Sequence, residues 1–215
     1  MKPRVLLGIL NWGLGHAVRC VPVVSELLNQ GAEVIICGNG SSLALLKREF
    51  PALKAIEIPV PEIRYNSQGF TLLAGIAIVW RIIFSFFVER KAVLNIAKQY
   101  GITHIISDHK FGLRIGKLPT AIVCHQLSLK LPKKIKFLEK PANYLNQKLL
   151  QAFNEIWIPD MPGEQSLSGE LSSTKNYNTN KIKYLGVLSF QTLQVLNTWR
   201  ISEEKTCQVA VICSG

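Results

Sequence analysis

The chain has 215 residues, of which 48% are hydrophobic and 18% charged. This composition excludes an intrinsically disordered chain and provides enough apolar side chains for a buried core. The 25 lysines and arginines outnumber the 14 aspartates and glutamates, which gives a net charge of +11. Such a charge favours an anionic partner, whether nucleic acid, a phosphorylated substrate or a membrane surface.

Apolar runs and helical patterns alternate along the chain. Strands are expected at residues 5–10, 33–37, 55–58, 103–107, 120–124, 156–158 and 183–186, and again at 208–213. Helices are expected from about residue 16 to Gly31, from Ser41 or Ser42 onward, over Phe70 to Tyr100, and over 141–154. Pro22 suggests that the first helix begins later than His16. This alternation predicts an α/β fold with a Rossmann-like, doubly wound parallel sheet.

The five cysteines and the N-terminal segment indicate a reducing compartment. No two cysteines have CxxC or CxxxC spacing, so we expect buried free thiols rather than a zinc or redox site. The apolar run that starts at Val5 is too short for a secretory signal and has no cleavage site. We therefore expect a cytoplasmic protein. The cysteines are Cys20, Cys37, Cys124, Cys207 and Cys213.

Polar residues concentrate where the expected strands end, which is where parallel sheets bind ligands. Three of the four histidines and one of only two aspartates fall there. This concentration predicts an active site. The residues are Asn11, Trp12, Gly13, Gly15 and His16 after the first strand, Gly38 and Asn39 after the second, Asp108, His109 and Lys110 after the fourth, and His125 and Gln126 after the fifth.

The turn Gly13-Leu14-Gly15 lets a ligand approach the backbone and precedes a helix N-terminus that suits an anion. A dinucleotide fingerprint would need glycine at Val18 and an acidic residue near Asn39, so a nicotinamide or flavin cofactor is disfavoured. A Walker A motif is absent from the sequence, and the histidines show no metal-ligand spacing.

Each of these residues has two possible roles, one in catalysis or ligand binding and one in supporting the fold. His16 is a candidate general base, because an ordinary histidine pKa suits proton abstraction at neutral pH, or it caps a helix. Asp108 orients a hydroxyl or a histidine, or caps a short helix. His109 and His125 are ligand contacts or rim residues, whereas His104 belongs to the core or edge of a strand.

Seven short segments are distinctive when taken together. They are 11–20 (NWGLGHAVRC), 106–108 (ISD), 112–114 (GLR), 124–127 (CHQL), 157–160 (WIPD), 167–171 (LSGEL) and 184–186 (YLG). With these segments the chain resembles a bacterial glycosyltransferase family of the two-domain GT-B type, related to the enzymes that add N-acetylglucosamine to the lipid-linked peptidoglycan precursor. The similarity covers nearly the whole chain.

The resemblance implies a reaction and roles for its residues. A sugar would pass from a UDP-sugar-type donor, used as a substrate, to a lipid-linked or glycan acceptor, without a cofactor or metal. The loop Gly13, Leu14 and Gly15 would face the donor diphosphate, and His16 would be the base. The acceptor pocket would comprise Asn11, Asp108, His125 and Gln126. His109 and Lys110 stand where the family has asparagine and arginine, so no role is carried over to them.

The resemblance also implies a domain organisation. Residues 1–186 would form an N-terminal, acceptor-side domain, 187–205 a linker, and 206–215 the first strand of a truncated, donor-binding domain. This chain alone would then be inactive. The alternative function is a non-catalytic, membrane-docked subunit that binds the acceptor and needs a separate donor-binding chain. A nucleotide-binding oxidoreductase is a weaker third hypothesis.

Two surfaces suggest a peripheral membrane contact at the inner face. Residues 70–88 are apolar or small except for Thr71, Arg81 and Ser85. Crossing a bilayer there would separate the strands of one sheet, so we expect a helix that is partly buried and partly in contact with lipid. A second cluster, within Lys130 to Lys140, is either an ordinary solvated face or a site for anionic headgroups. Its lysines are Lys130, Lys133, Lys134, Lys136 and Lys140. No nucleic-acid-binding motif accompanies the charge, so nucleic acid is not expected as a partner.

Overall fold

The structure is a computed structural model that describes residues 2–60, 72–131, 133–172 and 177–188. The strands are β1 Arg4–Ile9, β2 Glu33–Gly38, β3 Lys54–Glu57, β4 His104–Asp108, β5 Thr120–Val123, β6 Glu155–Ile158 and β7 Ile182–Tyr184. The α-helices are α1 Leu14–Asn29, α2 Gly40–Glu49, α3 Leu72–Tyr100 and α4 Glu139–Gln151. A 3-10 segment, Lys133–Leu138, precedes α4.

The described strands form one seven-stranded sheet in the order β3-β2-β1-β4-β5-β6-β7, and every neighbouring pair is parallel. This confirms the predicted doubly wound α/β sheet. The chain leaves β1 toward β2 on one side and later returns to place β4 on the other side. The carboxyl ends of β1 and β4 therefore flank the topological switch point, where open α/β sheets bind ligands.

Both faces of the sheet are covered by helices, which explains the continuous apolar runs of the central strands. Leu7 and Ile9 of β1 belong to the apolar cluster that includes the buried side chains of α1 and α2. Leu6 points to the opposite face and packs in the cluster that holds Val93 of α3. On that same face, Ile156 of β6 packs with Leu150 of α4. The alternation along each strand thus decides which helix a side chain meets.

The first helix begins earlier than Pro22 suggested. It starts at Leu14 and continues through Pro22, so the prediction of a delayed start is wrong. Proline lacks the N–H that would bond to the carbonyl four residues earlier. However, Cys20, Val21 and Val24 are buried around it. Their burial outweighs the one lost hydrogen bond.

The second helix begins at Gly40, with Asn39 in the capping position, rather than at Ser41 or Ser42. Asn11 explains the difference, because its Oδ1 accepts hydrogen bonds from the Ser42 backbone N–H (3.3 Å) and the Ser41 hydroxyl (3.2 Å). A side chain from the end of β1 therefore caps this helix. A local serine signal cannot reveal a cap that arrives from a distant segment.

The remaining predictions fall partly inside and partly outside the described residues. Cys20, Cys37 and Cys124 are buried free thiols, as expected. Within the described residues, no helix has both the length and the apolarity needed to cross a membrane. Most of the 187–205 linker, the strand at 208–213, Cys207 and Cys213 lie outside the described residues.

Candidate functional site

The switch point brings Asp108 to the first turn of α1. Asp108 is the last residue of β4 and is in register with Ile9 of β1. It lies two positions after Ile106, which faces α1, so its side chain faces α1 as well. The carboxylate is fully buried, and its Oδ2 lies 2.7 Å from the Nδ1 of His16. His16 itself is 14% exposed, so solvent or a ligand can reach its ring.

Arg19 lies one turn after His16 and shares its face of α1. Its Nε donates to Asp108 Oδ1 (2.7 Å), and its Nη2 lies 2.5 Å from the same oxygen. Nη2 is also 2.6 Å from His16 Nδ1. The Arg19 side chain is only 10% exposed. A buried carboxylate requires such donors, because an unpaired charge in this position would be strongly destabilising.

His125 completes the cluster from the end of β5. It lies two positions after Val123, which faces α1, and is therefore directed to the same side as Asp108. Arg19 Nη1 is 3.0 Å from its Nδ1. Burial lowers the pKa of His125, and the positive charge of Arg19 lowers it further. We call His16, Arg19, Asp108 and His125 the histidine cluster.

His109 borders this cluster in an unusual backbone conformation. Its φ of 56° is in the left-handed region, which few residues other than glycine and asparagine adopt readily. Its ring lies edge-on to that of His16, with centroids 6.3 Å apart. Burial lowers the pKa of His109 to about 4, so the ring is neutral at pH 7. Its Nδ1 is buried and meets no hydrogen-bond partner among the described residues.

Lys110 turns away from the cluster to the opposite face of the sheet. Its ammonium group lies 2.7 Å from Glu89 Oε1 of α3, and both side chains are buried. Ser107 fixes this turn, since its hydroxyl donates to the Lys110 carbonyl (2.6 Å) and accepts from the Lys110 N–H (3.1 Å). Lys110 is thus a structural residue rather than part of the site.

The predicted diphosphate loop is open. Gly13 has a φ of 83°, which requires glycine, and it precedes α1 without a side-chain cap. A Cβ added at Gly13 or Gly15 would meet no atom within 4 Å. Leu14 is exposed. The backbone of this turn is therefore accessible from outside, beside His16.

Asp160, the second aspartate of the chain, has a structural role. Its carboxylate accepts hydrogen bonds from the backbone N–H groups of Met161 (2.7 Å), Leu167 (2.9 Å) and Ser168 (2.9 Å), and from the Ser166 hydroxyl (2.7 Å). Burial alone would raise its pKa, but these donors outweigh burial and hold it well below the ordinary range. Asp160 thus organises the loop after β6.

A cavity of about 440 Å³ lies at the opposite, amino-terminal end of the strands, between α1 and β4–β6. Its polar side chains form hydrogen bonds within the protein, and its lining has one histidine and one carboxylate, whereas two histidines, an arginine and an aspartate meet at the switch point. Bonded pairs on its wall are Gln30 with Glu26, His104 with Thr103, Asn154 with Thr120, and Trp157 with Glu155. We therefore place the candidate site at the histidine cluster.

Comparison with known proteins identifies the fold. No family model and no curated protein matches the chain. Arabidopsis thaliana UGT89C1 complexed with quercetin matches with a TM-score of 0.57 and 15% identity, over 87% of this chain and 51% of that one. The glycotransferase of kitacinnamycin matches with a TM-score of 0.57 and 10% identity, over 86% and 51%. The fold is a Rossmann-like domain of the GT-B type.

The chain spans about half the length of the structures that it matches. MurG of Acinetobacter baumannii is also similar, with 16% identity over 77% of this chain and 44% of that one, at a TM-score of 0.46. At such identities the likeness concerns the GT-B fold alone. The closer kinship with peptidoglycan-precursor transferases stays a prediction.

Within this GT-B domain, the predicted residues divide into two groups. His16, Asp108 and His125 meet in the cluster. Asn11 instead lies against the start of α2, and Gln126 follows His125 on the adjoining loop, where its carbonyl accepts from Asn146 Nδ2 (3.2 Å). Sequence reasoning missed Arg19 as a site residue. Its spacing of three from His16, on a helix that is otherwise apolar there, is the signal that could have revealed it.

Proposed function

We propose that this chain is the acceptor-side, N-terminal domain of an inverting glycosyltransferase, acting on a nucleotide-sugar donor of the UDP type. The observation that carries the proposal is the His16–Asp108 pair at the switch point of a GT-B fold. Two matched structures of UGT89C1, a protein with the same fold, contain UDP-L-rhamnose and UDP. The expected acceptor is lipid-linked or a glycan.

His16 is the proposed general base. With its Nδ1–H donated to Asp108, the imidazole leaves its Nε2 lone pair for the proton of an acceptor hydroxyl. That oxygen forms a bond to the anomeric carbon while the bond from this carbon to the diphosphate breaks. The diphosphate leaves with the electron pair, and the proton stays on His16. Asp108 stabilises the resulting imidazolium, as carboxylates do in hydrolase triads.

The loop Gly13, Leu14 and Gly15 is the proposed contact for the donor diphosphate. Its accessible backbone and the free N–H groups at the start of α1 suit a group that gains negative charge as it leaves. The proposed acceptor pocket comprises Asp108 and His125 in the cluster, with Asn11 and Gln126 on the adjoining turns. The side-chain oxygen of Asn11 already caps α2, so the proposed role of Asn11 in the acceptor pocket is to form part of its wall.

The nucleotide is expected to bind mainly to a second Rossmann-like domain, which the sequence resemblance predicts from about residue 206, outside the described residues. The alternative is a separate chain that supplies this domain, which would make the present chain an acceptor-binding subunit. The exposed backbone near Gly13 would face the donor in either arrangement. Transfer that appears only when a candidate partner chain is added would favour the subunit.

The test is a screen of nucleotide-sugar donors against lipid-linked and glycan acceptors, on the natural full-length protein and on this chain with its partner candidates. Once transfer is found, His16→Ala should lower kcat by about 10²–10⁴, because general-base catalysis contributes this much. Asp108→Asn should also lower it while the sheet remains folded by circular dichroism. The exposed His104→Ala is the matched control. Near-normal transfer by His16→Ala would refute the role of the base.

We further propose that α3 attaches the domain to an anionic membrane. Trp80, Phe84 and Phe87 follow one helical face and are 67%, 56% and 64% exposed. They precede Glu89, which packs beside the end of β4, so this part of α3 extends past the edge that carries the site. Exposed aromatic side chains on one face typify a surface that binds a membrane or a protein.

Basic groups near α4 support a membrane as the partner. The 3-10 segment before α4 exposes Phe137, which is flanked by Lys136 and, further along, Lys140. α3 and α4 cover the same face of the sheet, so both surfaces can meet one flat partner. The net charge of +11 favours anionic headgroups.

Vesicle co-sedimentation tests this contact. The triple variant Trp80→Gln/Phe84→Gln/Phe87→Gln should bind phosphatidylglycerol vesicles at least about tenfold more weakly, since each buried aromatic contributes roughly 1.5–3 kcal/mol. Leu167→Gln, at an exposed leucine in the loop after β6, is the matched control. Binding should be weaker on phosphatidylcholine and at high salt. Equal binding by the triple variant and the control would exclude α3 as the contact.

A further inference from the structure

One buried guanidinium group contacts every other member of the histidine cluster. Arg19 lies within hydrogen-bond distance of Asp108, His16 and His125. Arginine can only donate hydrogen bonds and keeps its charge at any physiological pH. Its contacts therefore restrict where the protons of the neighbouring histidines lie.

The Asp108 carboxylate decides the proton position on His16. Its Oδ1 receives both Arg19 Nε and Nη2, whereas Oδ2 is paired with His16 Nδ1. If Nδ1 carried no proton, a fully buried anionic oxygen would face a lone pair and remain without a donor, which is strongly unfavourable. Arg19 Nη2 also lies 2.6 Å from this nitrogen and can only donate, so Asp108 Oδ2 and Nη2 make opposite demands on it. The carboxylate oxygen prevails, because Nη2 has Oδ1 as an alternative acceptor, whereas Oδ2 has His16 as its donor. His16 thus has a protonated Nδ1 and a free Nε2 lone pair.

Arg19 imposes the opposite arrangement on His125. Arg19 Nη1, 3.0 Å from His125 Nδ1, has a hydrogen to give and no lone pair to receive one. His125 Nδ1 must then be the acceptor, which places the ring proton on Nε2. The charged groups that act on His125 are Arg19 and His16 of α1, Asp108 of β4 and Asp160 after β6. Arg19 is the nearest of these cations, and it disfavours a second proton on the ring.

We propose that Arg19 is a positioning residue that holds the two histidines in opposite tautomers. It occupies Asp108 Oδ1, which leaves Oδ2 for His16 Nδ1–H, and it donates to His125 Nδ1 itself. The result is a hydrogen-bond acceptor at His16 Nε2 and a donor at His125 Nε2–H. The inference about the tautomers stands on the contacts alone. Its consequence for ligands rests on the proposed function. A neutral acceptor–donor pair matches a ligand with a hydroxyl for His16 and a second oxygen for His125, as a polyhydroxylated acceptor sugar provides. It does not match a phosphate group, which would prefer protonated rings.

Histidine tautomers can be measured directly, so the test does not depend on catalysis. The full chain is labelled with 15N-histidine, and its long-range 1H–15N spectrum is recorded near pH 7. Single His→Gln variants assign the four rings. We expect the protonated nitrogen to be Nδ1 in His16 and Nε2 in His125. A protonated Nε2 in His16, a protonated Nδ1 in His125, or a fully charged ring in either would overturn the proposal.

Arg19→Lys then tests whether Arg19 causes the difference. Lysine keeps the charge but cannot donate along two diverging directions at once. The His125 signal should shift toward a mixture of tautomers, while the exposed Arg48→Lys on α2 leaves all signals unchanged. An unchanged His125 tautomer in folded Arg19→Lys would overturn the role of Arg19. Should this variant fail to fold, the wild-type spectrum still decides the proton positions. Missing transfer activity with the expected tautomers would contradict only the proposed function.

Discussion

Two buried ion pairs lie on opposite faces of β4, and their surroundings differ. Arg19 and Asp108 meet on the α1 face beside the rings of His16 and His125, both of which are partly exposed. Lys110 pairs with Glu89 of α3 on the other face, where the two side chains are 1% and 7% exposed. We call the first the open pair and the second the closed pair.

The difference in surroundings indicates a difference in role. The open pair contacts two histidines whose outer ring nitrogens remain for a ligand. The closed pair is completed by the protein itself, since Glu89 Oε2 also accepts from the Gly112 N–H (3.3 Å). Buried ion pairs contribute little net stability, yet breaking one is costly. The closed pair therefore secures the turn between Asp108 and Gly112, and this turn holds the open pair in place.

The largest expected effect on stability comes from breaking the closed pair. Lys110→Met leaves the Glu89 carboxylate buried and unpaired, which should lower the free energy of unfolding by about 3–5 kcal/mol. Urea denaturation followed by circular dichroism measures it. The double variant Glu89→Gln/Lys110→Met removes both charges and keeps an acceptor for Gly112. It should regain much of the loss. A double variant no more stable than Lys110→Met would contradict this account of the closed pair.

His109 lies in the chain between Asp108 of the open pair and Lys110 of the closed pair. The second prediction concerns its effect on stability as the pH changes. Its pKa is lowered to about 4 in the folded chain by burial, against an ordinary value near 6.5 in the unfolded chain. Above pH 6.5 both states are neutral and stability is complete. Between pH 6.5 and 4 the unfolded chain binds a proton first, so stability falls, by up to about 3 kcal/mol.

His109→Asn should flatten this part of the stability profile, because asparagine does not titrate and tolerates the left-handed conformation. Unfolding free energies at several pH values between 4 and 7 give the slopes. His104→Asn, at the exposed first position of β4, the strand that His109 follows, is the control. The prediction is wrong if His109→Asn keeps the full wild-type slope, or if the control flattens it equally.

The sequence predicts where the open pair lies better than it predicts which residues form the pair. Strand ends in a parallel sheet converge, and period-two alternation places Asp108 on the side of Ile106 and His125 on that of Val123. This reasoning does not predict that Arg19 belongs to the site, because an arginine within a helix normally indicates a face exposed to solvent. Arg19 is buried because acceptors from β4 and β5 converge on it, and the local pattern offers only its spacing of three from His16 as a signal.

The closed pair is harder to predict for the same reason. Lys110 comes only two positions after Asp108 in the chain, so the sequence analysis lists it with the residues of the site. The turn at Ser107 and the positive φ of His109 reverse its direction and send it to α3. Its partner Glu89 lies in a mostly apolar helix. Its burial is predictable only after α3 has been placed on the face of the sheet that Lys110 enters.

The smallest expected effect concerns Ser107, whose hydroxyl both donates to and accepts from the backbone of Lys110. Ser107→Ala leaves the buried Lys110 N–H without its partner, whereas the Lys110 carbonyl still accepts from the Leu113 N–H (3.2 Å). This loss should lower the free energy of unfolding by about 1–2 kcal/mol in urea denaturation. If the closed pair is held by this turn, Ser107→Ala and Lys110→Met should cost less together than the sum of the two single changes. Strict additivity would show that Ser107 and the closed pair act independently.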